Sequence, residues 1–129
     1  MAFSNYLEDQ ITGWINGSAF ASAPTSTFVQ LYSQDPTDAG SATGALYTRI
    51  AVAAGGWTRG TGGAGTLTNT AAITITSSAA SGATATHVAV FDTITGGNML
   101  LAGALTASKT IATGDEVKFN ATALTLTVA

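Results

Sequence analysis

The chain has 129 residues and a formal net charge of −3, and only 9% of its residues are charged although 46% are hydrophobic. That length fits a single domain with its own core, and four scattered basic residues give no cationic cluster for a nucleic-acid backbone, so no direct nucleic-acid partner is expected. Cysteine is absent, which excludes disulfides, thiolate metal sites and cysteine nucleophiles.

The first residues predict one amphipathic helix over Asn5–Asn16. Four apolar side chains recur at helical spacing and form a single stripe, Leu7, Ile11, Trp14 and Ile15. Asn5 with Glu8 three residues later resembles a capping box, and Gly17 is placed to end the helix. We assign residues 1–17 to this helical segment. Its stripe is the candidate partner-docking surface, which packs either on the domain itself or on a partner.

A connector at residues 18–26 follows, and the apolar period then changes to two. The predicted strands are Thr27–Ser33, Ala45–Ala53, Trp57–Arg59, Ala71–Thr76, Ala85–Phe91, Met99–Leu105, Lys109–Ala112, Val117–Phe119 and Ala123–Val128. Seven to nine short strands after one helix indicate an all-β fold, an antiparallel β-sandwich over residues 27–129. The whole chain, residues 1–129, is predicted to be one domain.

Alternation along the strands predicts which side chains share a face. Leu46, Ile50 and Val52 fall on one face of their strand, with Tyr47 and Arg49 on the other. Turn residues collect in Gln34–Gly44, in the glycine-rich segment Gly60–Gly65, in Ser77–Gly82 and at Gly96-Gly97-Asn98, which is a typical hairpin turn.

Candidate catalytic and metal-binding residues are few. His87, the only histidine, would need a nucleophile and an orienting carboxylate such as Asp92, and a half-buried strand histidine is the better interpretation. Asp35 and Asp38 offer oxygen ligands of the kind that Ca²⁺ prefers, but aspartates beside Pro and Gly are more often turn formers. We expect no enzyme activity and no cofactor or metal.

The sequence contains two other candidate binding sites. The Gly60–Gly65 segment lacks the Gly-Lys-Ser/Thr sequence of a phosphate-binding loop, so it is interpreted as a contact-forming loop. Four aromatic side chains offer a candidate glycan-binding platform, namely Trp14, Trp57, Tyr32 and Tyr47. Most aromatics in a small sandwich belong to the core or to an interface.

Because few residues are charged, the surface must be built largely from Thr, Ser, Gly, Ala and Asn. Such a surface is poorly protected against association and suits a subunit docked in an assembly, although a secreted Thr-rich β-domain has a similar composition. The N-terminus lacks a signal-peptide pattern and no apolar stretch reaches the length of a membrane span, so no membrane partner is expected.

The sequence resembles a family of small tailed-bacteriophage virion proteins, described as tail fibre proteins and in some particles as head decoration or cement. The resemblance is carried by SNYLED (Ser4–Asp9), DPTDAG (Asp35–Gly40), ALYTR (Ala45–Arg49), THVAVFDTITGGNMLLAGAL (Thr86–Leu105) and SKTIATGDEVKF (Ser108–Phe119). It implies a structural component of the virion with no catalytic residues.

From this resemblance and the composition, the leading hypothesis is a capsid decoration or cement protein that bridges neighbouring major capsid protein subunits. The alternative is a tail-fibre or baseplate-associated domain that contacts tail proteins, and host surface glycans through exposed aromatic side chains. In both cases the chain is expected on the particle in multiple copies or as a homo-oligomer.

Overall fold

The computed structural model describes residues 2–76 and 82–128. Its one helix, α1, spans Asn5–Ile15. The strands are β1 (Ala2–Phe3), β2 (Ser26–Tyr32), β3 (Ala45–Ala53), β4 (Trp57–Arg59), β5 (Thr66–Asn69), β6 (Ile73–Thr76), β7 (Ala83–Phe91), β8 (Met99–Ile111), β9 (Glu116–Phe119) and β10 (Thr125–Thr127). Every strand pair is antiparallel, which confirms the predicted all-β class with one N-terminal helix.

The strands form three sheets that share one core. A five-stranded sheet has the order β1-β8-β7-β2-β3, a three-stranded sheet the order β10-β5-β4, and β6 pairs with β9. Aliphatic side chains from all three sheets meet in the inner cluster, which includes Val29, Leu31, Val52, Ile75, Val88, Val117 and Leu126. Burial of these side chains is the main stabilising contribution to the fold, at about 25 cal/mol per Å² of apolar area.

The five-stranded sheet has buried side chains on both faces. On its other face lies the outer cluster, Tyr32, Ala89, Phe91, Met99 and Ala102. The period-two alternation predicted for β2 and β7 is confirmed, because neighbouring residues such as Leu31 and Tyr32 enter opposite clusters. The loop between β2 and β3 closes part of the outer face, since a Cβ on Gly40 would lie 3.1 Å from the Met99 Cβ.

The cap of helix α1 lies one residue earlier than the sequence predicted. The N-cap is Ser4, whose side chain accepts a hydrogen bond from the Leu7 amide at 3.2 Å, so the capping box assigned to Asn5 and Glu8 is wrong. The buried Ser4 also donates its own amide to the Leu100 carbonyl of β8. Ser4 therefore caps the helix with its side chain and joins the helix to β8 through its backbone amide.

Three strand predictions need correction. Met99–Leu105 and Lys109–Ala112 are one irregular strand, β8, because β7 pairs with both halves. The short strands β1 and β5 were missed, since neither has enough alternating apolar residues to give a period. Tyr47 packs against the inner cluster with Leu46 and Ile50 rather than facing away, because β3 is irregular there and Tyr47 has a φ of 63°. Of the predicted connection Ser77–Gly82, residues 77–81 lie outside the described residues.

A buried amide organises the end of β5. Asn69 is almost fully buried, and its side-chain amide donates to the carbonyls of Ala71 and Asn120 at 2.8 and 2.9 Å. Its side-chain oxygen accepts the Leu124 amide at 2.9 Å. Because these bonds satisfy backbone groups that no strand pairs, Asn69 holds the segment before β10 against the three-stranded sheet.

Candidate docking surface

Helix α1 divides the predicted apolar stripe into two parts. Leu7 and Ile11 are half-buried, and the helix packs beside β8 and β1. Trp14 and Ile15, in the last turn, are 60% and 74% exposed. The four residues of the candidate docking surface therefore do not form one continuous surface, because the first two face the domain and the last two face solvent.

A third exposed apolar side chain, Phe20 of the connector, lies beside Trp14 and was not predicted. Phe20 is 46% exposed, and its ring centroid lies 6.1 Å from that of Trp14. The connector is held there because the Ala21 amide donates to Gln10 Oε1 of the helix at 2.8 Å. We call Trp14, Ile15 and Phe20 the apolar tip. Phe20 is the only large apolar residue in the connector, and this feature of the sequence could have indicated that it belongs to the surface.

Against Phe20 of the apolar tip lies a cavity of about 490 Å³. Its walls come from the helix, the connector and the β7–β8 turn, and include Tyr6, Leu7, Phe20, Pro24, Asp92, Thr93 and Leu100. The turn wall is rigid because Asp92 accepts hydrogen bonds from the backbone and side-chain amides of Asn98 at 2.7 and 2.9 Å. The sequence-predicted turn at Gly96-Gly97 is present, with both glycines at positive φ.

A second concave surface lies at the open end of the β7–β8 hairpin. Ala85 pairs with Lys109 and His87 with Ala104, so residues 105–108 of β8 bulge out of the ladder. The resulting hairpin cleft has a volume of about 380 Å³. Its apolar lining includes Val88, Leu105, Phe119 and Leu124. Lys109 is the one charged residue in this lining among the described residues.

Arg49 is the most constrained cation of the described chain. Its guanidinium lies 3.5 Å from the ring centroid of Phe91, and it donates to Gln30 Oε1 and to the carbonyls of Thr93 and Gly96. Burial lowers the pKa of Arg49 from its ordinary value, and the nearby Tyr32 and Asp92 oppose that shift. Arg49 is thus a structural clamp between β3 and the β7–β8 turn, a role that sequence spacing did not indicate.

The candidate catalytic and metal-binding residues have other contacts. His87 Nδ1 lies 2.8 Å from the Thr86 hydroxyl, and the carboxylate of Asp92 is bound to Asn98. Asp35 accepts the Thr37 amide at 2.9 Å in a turn. Within residues 2–76 and 82–128, no group of three His, Cys, Asp or Glu side chains is placed to hold a metal ion.

The structure does not bring the four candidate sugar-binding aromatics together. Tyr32 is in the outer cluster, and Tyr47 and Trp57 pack against the inner cluster. Trp57 also donates its indole N–H to the Thr27 hydroxyl at 2.8 Å. Of the four, Trp14 alone is exposed. A shared platform of these four rings is therefore absent.

The glycine-rich segment Gly60–Gly65 joins β4 to β5 and also contacts the last strand region. Gly65 has a φ of 61°, and its carbonyl accepts the Val128 amide at 2.6 Å. A Cβ on Gly65 would lie 2.7 Å from the Val128 carbonyl oxygen, so this position requires glycine. Among the described residues, the segment therefore makes its contact within the domain, through backbone atoms.

The molecule belongs to the class of small antiparallel β-sandwich domains, with exposed apolar side chains at the end of its helix. A family model described as Podophage GP4 fiber I protein gp80 matches residues 2–127, and the chain belongs to this family of phage fibre proteins. The match supports the resemblance to phage tail-fibre-type proteins and is consistent with a virion location, and it gives no support to capsid decoration. No curated protein matches the chain. No helix in the described part of the chain has the length and apolar character to cross a membrane.

Proposed function

We propose that the chain is a non-enzymatic structural subunit of a phage tail fibre, joined to its neighbours mainly by apolar contacts. The observation that carries this proposal is the fibre-family match over residues 2–127. It supports the fibre hypothesis over the capsid-cement hypothesis. The low charge of the chain and the exposed apolar tip support attachment by burial of apolar surface rather than by ion pairs.

The location is tested by labelling purified particles with a gold-conjugated antibody against this chain. Gold at the fibres, in a few copies per particle, is expected. Gold spread over the shell in hundreds of copies would instead restore the cement hypothesis. An antibody against the major capsid protein is the control, because it labels the shell in the same preparation.

The apolar tip is tested by replacing Trp14 and Ile15 with Ala. Because both side chains are largely exposed, the free energy of unfolding should change by no more than about 0.5 kcal/mol, while incorporation into particles falls. The matched control replaces Leu7 and Ile11, which face the domain, and should lower the melting temperature. A large loss of stability in the Trp14/Ile15 variant would place those side chains in the core and end the docking proposal.

Salt tests the type of contact. Arg49 is engaged inside the chain, which leaves Arg59, Lys109 and Lys118 as exposed cations. We expect the protein to stay on purified particles from low to molar NaCl, because screening at about 0.15 M already limits exposed charges to a reach of about 8 Å. Steep release with salt would favour ion pairs instead.

Catalysis is not part of the proposed role. His87→Asn should leave particle assembly and adsorption to the host unchanged, since His87 contacts the Thr86 hydroxyl rather than a carboxylate. A hydrolase activity in purified protein that disappeared in this variant would overturn the non-enzymatic part of the proposal.

A further inference from the structure

The apolar tip and the hairpin cleft lie at opposite ends of one hairpin. Phe20 shares a cavity with Asp92 and Thr93 at the β7–β8 turn, whereas the cleft is lined by Ala85 and Lys109 at the open end. Along β8, Leu100 of the tip-side cavity and Ala104, the nearest cleft-lining residue, are four positions apart. At a rise of about 3.3 Å per residue this is about 13 Å. The two surfaces are therefore separate, and the exposed tip leaves the cleft of its own molecule open.

One surface projects and the other is concave, and the charges near them are of opposite sign. The apolar tip projects two large side chains from the end of α1, and the cleft is a concave surface of mixed character whose apolar side chains are Val88, Leu105, Phe119 and Leu124 among others. The charged side chains of α1 are Glu8 and Asp9, both exposed, and the charged residue lining the cleft is Lys109. Glu8 lies on the same line of the helix as Ile15, two turns away, so a partner that covers Ile15 also meets a carboxylate.

We propose that the occupant of the hairpin cleft is the apolar tip of a second copy of this chain, so that copies join head to tail. This inference rests on the proposed fibre role for its biological setting. Because the tip and the cleft are different surfaces, the contact is heterologous, and each added copy again presents one free tip and one free cleft. Such a contact builds a ring or a linear series, which suits a repeated fibre subunit.

The purified full chain tests this by sedimentation velocity over a range of concentrations. The wild-type chain should form a concentration-dependent series that extends past the dimer. The tip variant, Trp14→Ser with Ile15→Ser, and the cleft variant, Ala107→Glu, should each weaken association at least ten-fold. Ala107 is exposed and lines the cleft, so the new carboxylate blocks the cleft without disturbing the core.

Mixing the two variants gives the sharpest result. The tip variant keeps an intact cleft and the cleft variant keeps an intact tip, so an equimolar mixture should form one-to-one dimers and nothing larger. If the mixture stays monomeric while the wild type associates, the contact is not tip to cleft and the proposal is wrong. A wild-type chain that stays monomeric at all concentrations overturns it as well.

Two control variants separate the proposed contact from general stickiness. Ile94→Ser removes another exposed apolar side chain, 52% exposed, which lines neither the cleft nor the tip-side cavity. Lys118→Glu changes an exposed charge on β9 between the cleft-lining residues Val117 and Phe119. Side chains alternate along a strand, so Lys118 points away from the cleft. Both controls should associate as the wild type does, and equal weakening in either would contradict the assignment.

Charge reversal tests the orientation. Glu8→Lys and Lys109→Glu should each weaken association about two- to five-fold, because an exposed ion pair contributes only about 0.2–1 kcal/mol. The two changes in one chain should restore wild-type association, since every contact then pairs the introduced ammonium group of one copy with the introduced carboxylate of the next. Failure of that rescue would contradict the pairing of these surfaces.

The two proposals fail separately. Gold labelling at the fibres together with a monomeric purified chain would overturn only the head-to-tail contact, and a different phage protein would then be the partner of the tip. Labelling of the shell together with the mixing result above would overturn only the fibre location.

Discussion

The two faces of the five-stranded sheet are covered in different ways. The inner face packs against two other sheets, and its cluster is almost entirely aliphatic. The outer face is covered by irregular segments and by one cation, since Gly40 of the β2–β3 loop lies against Met99 and Arg49 lies over Phe91. Packing between sheets thus covers the inner face. The outer face is covered by a loop and by Arg49, and the apolar side chains of the helix and connector next to this cover remain exposed.

The largest effect is expected on the inner face, where Leu31 is fully buried. Leu31→Ala should lower the free energy of unfolding by about 2–5 kcal/mol, because the surrounding sheets cannot close the resulting cavity. Urea unfolding followed by circular dichroism measures this. Leu105→Ala is the matched control and should cost less, since Leu105 is half-buried at the hairpin cleft. Equal losses would mean that the inner cluster continues across the cleft.

The next effect tests the cover of the outer face. Arg49→Met keeps an apolar stem over Phe91 but removes the hydrogen bonds to the Thr93 and Gly96 carbonyls. We expect a loss of about 1.5–3 kcal/mol in the free energy of unfolding, because bonds to a charged donor are stronger than neutral ones. Arg49→Lys should recover only part of this, since an ammonium lacks the planar fork of the guanidinium. Full recovery by Lys would reduce the role of Arg49 to charge alone.

Sequence reasoning was most accurate where a regular strand is buried on both faces. The period-two alternation predicted within β2 and within β7 agrees with the structure, in which Val29 and Val88 lie in the inner cluster and Phe91 lies in the outer cluster. It failed at β8, because the bulge at residues 105–108 interrupts the period, and at β5, because four residues give no clear period.

The candidate site was predicted only in part. Helical spacing correctly grouped Trp14 with Leu7 as apolar residues of α1, but it carries no information on how far the helix projects beyond the sheet. The clamp of Arg49 on Phe91 joins residues 42 positions apart, and no local pattern could indicate it. The apolar tip likewise depends on where the connector turns back.

A smaller effect on the outer face depends on pH. Burial raises the pKa of Tyr32 above its ordinary value of 10.0, and Arg49 partly offsets the shift. The stability that the neutral phenol contributes is fully present below pH 10 and is lost as the pH rises through the raised pKa. Unfolding measured between pH 8 and 11 should therefore show falling stability above pH 10, and Tyr32→Phe should make the fall less steep. An unchanged slope in that variant would assign the pH dependence to other groups.

The smallest effect is expected at Tyr47, the polar exception on the inner face. Its phenol oxygen is buried and has no hydrogen-bond partner among the residues that the structure describes. Burying a hydroxyl without a partner costs free energy, so Tyr47→Phe should leave stability unchanged or raise it by up to about 1 kcal/mol. The ring still fills its place against the inner cluster in this variant. Tyr47→Ala is the control and should be clearly destabilising, because it removes the ring. If Tyr47→Phe lowered stability by about 1 kcal/mol or more, the hydroxyl would have a partner such as a buried water, and the inner face would not be a purely apolar layer.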